Sequence, residues 1–200
     1  MTSQIQKTPL KQLVIAVLGL TPAIANADIG GVIEGDFSIY DVSGAYSYGG
    51  QFGLSSQSDF GTHYLLGGTF FLEQGDSPNA FGGSFDMDSV GFGLAYRYGF
   101  SFKDFEPYIE YGWNNISASY DSTDVFGNPT ELESDNSGDY LAVGILYRLR
   151  KDLHLKAEIG VFGLLCDQVI DVPRVDIFGN TRFMQDTVHM SGSIGISFKF

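Results

Sequence analysis

The 200-residue chain carries 24 acidic and 11 basic residues, a formal net charge of −13 at pH 7. Such acidity argues against nucleic acid or anionic lipid as a partner of the whole surface. A single cysteine, Cys166, excludes an intramolecular disulfide. The 26 glycines and the 14% aromatic content, without any evident helical periodicity, indicate an all-β protein.

The first 27 residues have the three parts of a secretory signal peptide. Lys7 and Lys11 precede the apolar run LVIAVLGL, and Ala25-Asn26-Ala27 supplies the small-x-small cleavage pattern. The apolar run is far shorter than the roughly 20 residues that a membrane-spanning helix needs. The sequence therefore predicts a cleaved signal peptide over 1–27 and one domain over 28–200.

The rest of the chain alternates with period two. In 90–102, 141–149 and 153–165, large apolar residues occupy one face, and glycine, alanine, serine and single charges occupy the other. A soluble sandwich would bury its large residues and expose its polar ones. Here the small, charged face suits a narrow interior and the large apolar face suits lipid, which predicts a transmembrane β-barrel.

Eight antiparallel strands are predicted in an up-and-down order, at about 30–39, 44–55, 62–73, 88–102, 105–118, 139–149, 153–165 and 187–200. Short connections at 56–61, 103–104 and 150–152 alternate with long ones at 74–87, 119–138 and 166–186. This alternation is typical of bacterial outer-membrane barrels. A ten-stranded barrel remains the alternative count.

The last ten residues, SGSIGISFKF, place Ile194, Ile196, Phe198 and Phe200 on one face of a strand. With the signal peptide and the eight alternating strands, this ending resembles the small outer-membrane barrels, such as the OmpX/Ail group and the membrane domain of OmpA. The resemblance implies an integral outer-membrane monomer surrounded by lipid and lipopolysaccharide. It also implies that these four residues form the signal read by the outer-membrane assembly machinery.

Charged residues on the small-residue face are expected to fill the barrel lumen. A hairpin centred on Lys103 and Asp104 would place Arg97 opposite Glu110. Because charges removed from water need partners, we predict a mixed-sign ion-pair network. Its members are Arg97, Glu110, Arg148, Lys156, Glu158, Glu34 and Asp36.

Two other features carry functional hypotheses. The pattern Asp-[Val/Ile]-Phe-Gly-Asn occurs in two long connections, where Phe126 and Phe178 could contact an extracellular ligand at hairpin tips. Aromatic residues near strand ends are expected to form interfacial girdles. They are Phe100, Phe102, Phe105, Tyr108, Tyr111 and Trp113.

His189 and Ser191 have the H-x-S spacing of outer-membrane lipid A deacylases, but no acidic residue follows them to orient the histidine. We therefore predict no catalytic residues, no cofactor and no metal. The predicted role is envelope integrity or surface interaction through the extracellular loops. The alternatives are a narrow porin-like channel for small solutes and a lipid A-modifying enzyme.

Overall fold

The computed structural model describes residues 29–41, 45–74, 85–123, 129–162, 171–175, 181–185 and 189–200. The predicted signal peptide lies outside these residues. Within these ranges, eight strands form a closed antiparallel barrel. Each barrel strand pairs with the barrel strands before and after it in the chain, the last pairs with the first, and two further strands pair only with each other. No helix within the described ranges is long and apolar enough to cross a membrane.

The strand bounds follow the predicted alternation. They are β1 Ile29–Tyr40, β2 Ala45–Gln57, β3 Thr62–Gln74, β4 Phe85–Gly99, β5 Phe105–Thr123, β6 Pro129–Arg148, β7 Leu153–Phe162, β8 Asp171–Val175, β9 Thr181–Gln185 and β10 His189–Lys199. We call the end with the short connections 58–61, 100–104 and 149–152 the turn end, and the opposite end the loop end. The predicted eight-stranded transmembrane architecture is confirmed.

The last strand closes the barrel between β1 and β7. Ile33 pairs with Phe198 and Phe37 with Ile194. At the turn end, Gly31 N donates to Phe200 O at 2.6 Å and Phe200 N donates to Gly31 O at 2.9 Å. Every strand of the barrel therefore has a partner on both sides, which is what a sheet needs in a solvent that cannot hydrogen-bond to it.

Side chains alternate between the outer wall and the lumen along every barrel strand. On β10, Ile194 and Ile196 are 65% and 54% exposed, whereas Ser193 and Ser197 are buried. The buried hydrophobic cluster lies inside the lumen. Its members are Val32, Tyr64, Leu66, Ala95, Tyr140 and Ala142, with Phe162 packed against them. The large apolar residues of the outer wall are instead exposed on the outside of the barrel.

Glycine makes room in the lumen for large rings. A Cβ on Gly91 would lie 2.2–2.6 Å from three ring carbons of Phe70, so Phe70 occupies the space that a side chain on β4 would need. Gly112 has the same relation to the Tyr140 ring. The small residues of the inner face thus leave the space that a few large side chains on neighbouring strands occupy.

Three of the predicted connections differ from the structure. The 119–138 segment is largely strand, since β5 reaches Thr123 and β6 begins at Pro129, and 166–186 contains the β8–β9 hairpin. Likewise β4 begins at Phe85, inside the predicted connection 74–87. The apolar alternation used to find strands stops at the loop end, because strands beyond the lipid need no apolar wall although their backbones still pair.

Candidate functional site

A guanidinium pairs with two carboxylates across the middle of the lumen. Arg97, on β4, donates from Nη1 and Nη2 to the two Glu34 carboxylate oxygens at 2.6 and 2.8 Å. Its Nε donates to Glu110 Oε2 at 2.6 Å. The side chains of Arg97 and Glu34 are 0% exposed and that of Glu110 is 1% exposed. The register that pairs β4 with β5 sets Arg97 directly opposite Glu110.

Tyrosine rings and hydroxyls complete this charged layer. The Tyr140 hydroxyl donates to Glu110 Oε1 at 2.5 Å. The Arg97 Cζ lies 4.3 Å from the Tyr108 ring centroid and 5.5 Å from that of Tyr64. Such contacts stabilise a desolvated cation by cation–π attraction. We call Arg97, Glu34, Glu110 and Tyr140 the charged layer.

The expectation that Tyr108 belongs to an interfacial girdle is wrong, because its side chain points into the lumen and is 2% exposed. Its hydroxyl donates to Glu158 Oε2 at 2.7 Å. Side chains along β5 point alternately outward and inward. Phe105 and Tyr111 point outward, whereas Tyr108 and Glu110 point inward.

Lys156 connects the charged layer to further acids nearer the loop end. Its Nζ lies 3.4 Å from Glu34 Oε2, 3.1 Å from Asp36 Oδ2 and 3.5 Å from Glu158 Oε2. The ammonium group therefore balances three carboxylates from two strands, β1 and β7. Glu34, Asp36, Glu110 and Glu158 thus each have a cation within ion-pair distance.

Arg148, which the sequence analysis assigned to this network, lies outside it. Its side chain is exposed at the turn end. The register of β6 and β7 places Arg148 opposite His154, away from Glu158. The diagonal contact assumed from the sequence fails because β6 and β7 pair Gly144 with Glu158, four residues away from Arg148. Other lumen residues, which the sequence pattern does not predict, take part in the polar contacts instead.

Those additional residues form a second polar group toward the turn end. Lys199 Nζ lies 2.8 Å from Glu106 Oε2 and also donates to the Tyr64 hydroxyl. Tyr64 in turn donates to Glu106 Oε1. Glu106, Tyr64 and Tyr140 could have been found from their inward parity, but their partners lie on distant strands that a single hairpin register does not relate.

A cavity of about 80 Å³ lies in the lumen on the loop side of the charged layer. Its lining combines small and polar residues, among them Ser47, Asn114 and Ser191, with Asp36 and Glu158. Both His189 and Ser191 face the lumen, and Met190 between them is 51% exposed on the outer wall. His189 Nδ1 lies 3.6 Å from Asp41 Oδ1, while its Nε2 has no hydrogen-bond partner within the described part of the chain. Ser191 therefore faces away from the lipid.

On the outer wall, a carboxylate at the loop end lies beside two tyrosines. The Tyr48 hydroxyl donates to Glu73 Oε1 at 2.9 Å, and Tyr46 donates to Glu73 Oε2. Exposed acids continue around this rim on the neighbouring strands, at Asp88, Glu133 and Asp135.

Phe126 and Phe178, the residues predicted to contact an extracellular ligand, lie outside the described residues. In the part of the chain that is described, no group of three or more His, Cys, Asp or Glu side chains is arranged to hold a metal ion.

Solved structures share this architecture. A major outer membrane protein from Thermus thermophilus superimposes with a TM-score of 0.61 at 16% identity, over 86% of this chain and 100% of that one. The N-terminal β-barrel domain of Pseudomonas aeruginosa OprF gives 0.52 at 15% identity, over 88% and 100%. These two matches show that the fold is that of the small outer-membrane barrels. Yersinia pestis Ail gives a TM-score of 0.44 at 9% identity, over 87% of this chain and 97% of that one.

No protein-family description matches the sequence, and no curated protein matches it. At these identities the structural likeness establishes the fold and leaves the activity open. Together with the apolar outer wall, the fold makes this an integral protein of a bacterial outer membrane. In such barrels the short turns face the periplasm, so the turn end is periplasmic and the loop end extracellular.

Proposed function

We propose that this outer-membrane barrel is non-conducting and acts in envelope integrity or surface interaction through its loop end. The charged layer carries the proposal. Arg97, Glu34 and Glu110 have 0–1% of their side-chain surface exposed, so they fill the cross-section of the lumen between the loop-side cavity and the periplasmic mouth. An eight-stranded barrel is just wide enough for side chains to fill in this way.

Opening this layer would leave charges buried without partners. Breaking a buried ion pair costs about 3–5 kcal/mol. Since each 1.4 kcal/mol is a tenfold change in an equilibrium constant, an open state would be populated roughly a hundredfold less than the closed one, or lower still. A barrel closed to this degree supports a structural or surface role over solute transport.

The loop end supplies the surface for that role. β5 and β6 are 19 and 20 residues long, well beyond the 9–11 or so needed to cross a bilayer. Glu133 and Asp135 are exposed on this extension. We infer that it contacts neighbouring lipopolysaccharide, with divalent ions bridging carboxylates to lipid phosphates, or an extracellular ligand.

Deletion of the gene in the source bacterium tests the proposal. The deletion strain should become more sensitive to detergent or lose adhesion to surfaces, and the full-length gene should restore the lost property. A second gene replaces residues 119–133 by Asn-Gly, which joins the paired residues Ala118 and Ser134 by a tight turn.

This shortened barrel keeps the charged layer and its membrane wall. It should restore detergent resistance if the barrel alone maintains the envelope, and it should not restore adhesion if the extension makes the contact. A deletion strain that is unchanged in both properties but takes up small solutes more slowly would contradict the proposal and favour a channel.

The polar cavity of about 80 Å³ is the observation that favours the second candidate, a narrow channel. It would become part of a conducting path only if the charged layer opened. Arg97→Ala should then raise single-channel conductance. A lipid A-modifying activity, the third alternative, would change the mass of lipid A in cells that express the protein, and Ser191→Ala would abolish that change.

A further inference from the structure

A second cavity, of about 410 Å³, opens at the periplasmic mouth. It lies on the opposite side of the charged layer from the loop end, so it is separate from the extracellular surface. Its charged lining residues come from β5, β6, β7, β10 and two turns. They are Asp104, Glu106, Arg148, Lys151, His154 and Lys199.

Two of the three cations at this mouth have no ion-pair partner among the described residues. Both oxygens of Glu106 are occupied, one by Lys199 and one by Tyr64. Within the described ranges, Arg148 and Lys151 form no ion pair, with Asp104 or with any other acid. In a protein with a net charge of −13, two uncompensated cations on one cavity indicate an anionic ligand.

A buried nitrogen in the same lining has no partner among the described residues. His154 is 5% exposed, and its Nδ1 makes no hydrogen bond to any residue that the structure describes. Buried polar atoms are nearly always hydrogen-bonded, and one left unsatisfied costs about 1–3 kcal/mol. The strand register sets His154 opposite Arg148, so an anion that reaches the guanidinium also comes near the imidazole.

The backbone around these groups is held in place. Arg148 N donates to Asp104 O at 2.8 Å, and Lys199 N donates to Asp152 O at 2.8 Å. These bonds tie the two turns and the last strand together, so the cations lie on a preformed frame. A preformed site loses less entropy on binding than a mobile one.

We propose that the periplasmic mouth binds a phosphate group between Arg148, Lys151 and His154. Guanidinium and ammonium groups are charged hydrogen-bond donors, a neutral imidazole donates from one ring nitrogen, and the planar fork of arginine suits the oxygens of a phosphate. Exposed rings at the cavity edge, Phe102, Phe105 and Phe200, lie where the acyl chains of the periplasmic leaflet would begin. The phosphate therefore comes from a phospholipid headgroup or from a soluble phosphate ester.

Two binding measurements on the refolded full chain separate these sources. Native mass spectrometry counts phosphatidylglycerol molecules retained from mixed micelles, and calorimetry measures binding of glycerol 3-phosphate in lipid-free detergent. A lipid source predicts one retained phosphatidylglycerol that millimolar glycerol 3-phosphate does not displace. A soluble source predicts saturable binding of glycerol 3-phosphate with no retained lipid.

In either case Arg148→Gln should weaken binding by about tenfold or more, because it removes a charge-assisted hydrogen bond. Arg150→Gln is the matched control, since Arg150 lies in the adjoining turn, two residues from Arg148, but does not line the cavity. It should bind as the wild type does. A heat-modifiable gel shift checks that each variant is folded.

The proposal is overturned if neither phosphate probe binds, or if Arg148→Gln and Arg150→Gln weaken binding equally, which would indicate diffuse surface attraction. It is also overturned if acetyl-D-alanyl-D-alanine binds the mouth and the phosphate probes do not, since the site would then take a peptide carboxylate. These outcomes are independent of any phenotype of the deletion strain.

Discussion

The inner and outer faces of the same strands differ in almost every physical respect. On β7, Lys156 points inward, is 1% exposed and contacts three carboxylates, while Ile159 points outward and is 56% exposed. The inner face is held by directional contacts between charges on distant strands. The side chains of the outer face share only their large size and their apolarity, which are the properties that contact with lipid requires.

This difference shows that stability depends on specific partners inside and on position in the membrane outside. A substitution in the lumen should be costly when it removes one member of a pair. A substitution on the wall should be costly only near the centre of the bilayer. The two rules can be tested separately on one barrel.

Arg97→Ala should produce the largest loss, because it leaves Glu34 and Glu110 buried without their cation. We expect the free energy of unfolding to fall by about 3–5 kcal/mol. Urea titration in lipid vesicles measures it. Arg150→Ala, in an exposed turn, is the control and should stay within about 0.5 kcal/mol of the wild type. Equal effects from the two variants would contradict the account of the lumen.

Val143→Arg places a charge on the outer wall, near the middle of the part of β6 that pairs with β7, and Val143 is 53% exposed there. It should lower the free energy of unfolding in vesicles by about 2–4 kcal/mol. The same replacement of Leu149, at the turn end, should cost about 0–1 kcal/mol. If both positions tolerate arginine equally, the wall does not lie in lipid as described.

Tyr140→Phe removes one hydrogen bond from the charged layer and keeps the ring. Because the Tyr140 hydroxyl donates to a carboxylate, the loss should be about 1.5–3 kcal/mol in unfolding free energy. Tyr147→Phe, on the exposed wall, removes the same atom outside the lumen and should change stability by less than about 0.5 kcal/mol. A Tyr140→Phe variant as stable as Tyr147→Phe would mean that Glu110 does not depend on this hydroxyl.

Gly91→Ala should have the smallest effect of the four lumen and wall changes. The new methyl group would meet the Phe70 ring, so we expect a cost of about 1–3 kcal/mol from overpacking. Gly192→Ala is matched to it, since no atom of the described residues, apart from the adjacent ones in the chain, lies within 4 Å of a Cβ at Gly192. Thermal unfolding compares the pair, and a midpoint lowered more by Gly192→Ala would contradict the packing described.

The sequence was sufficient for the wall and for one pair of the lumen. Period-two alternation identified all eight barrel strands, and a short hairpin fixed the register that sets Arg97 opposite Glu110. Both inferences use neighbours along the chain. The contact between Arg97 and Glu34 joins residues 63 positions apart and depends on barrel closure, which no local pattern specifies.

The errors have physical reasons as well. Residue type alone predicts a girdle position for Tyr108, whereas the alternation along β5 places it inside. A diagonal contact between Arg148 and Glu158 would need a β6–β7 register that the barrel does not have. The extensions of β5 and β6 were missed because polar strands outside the membrane carry no apolar signal. Lumen pairs between distant strands, such as Lys199 with Glu106, become visible only once the closed barrel is built.

Single-channel recording in planar lipid bilayers tests the central claim, that the charged layer closes the lumen. The wild-type protein, with its refolding verified by gel shift, should give no reproducible conductance steps. Arg97→Ala, if it remains folded, should give small steps that the wild type lacks. Clear, reproducible steps from the wild-type protein would contradict a closed lumen.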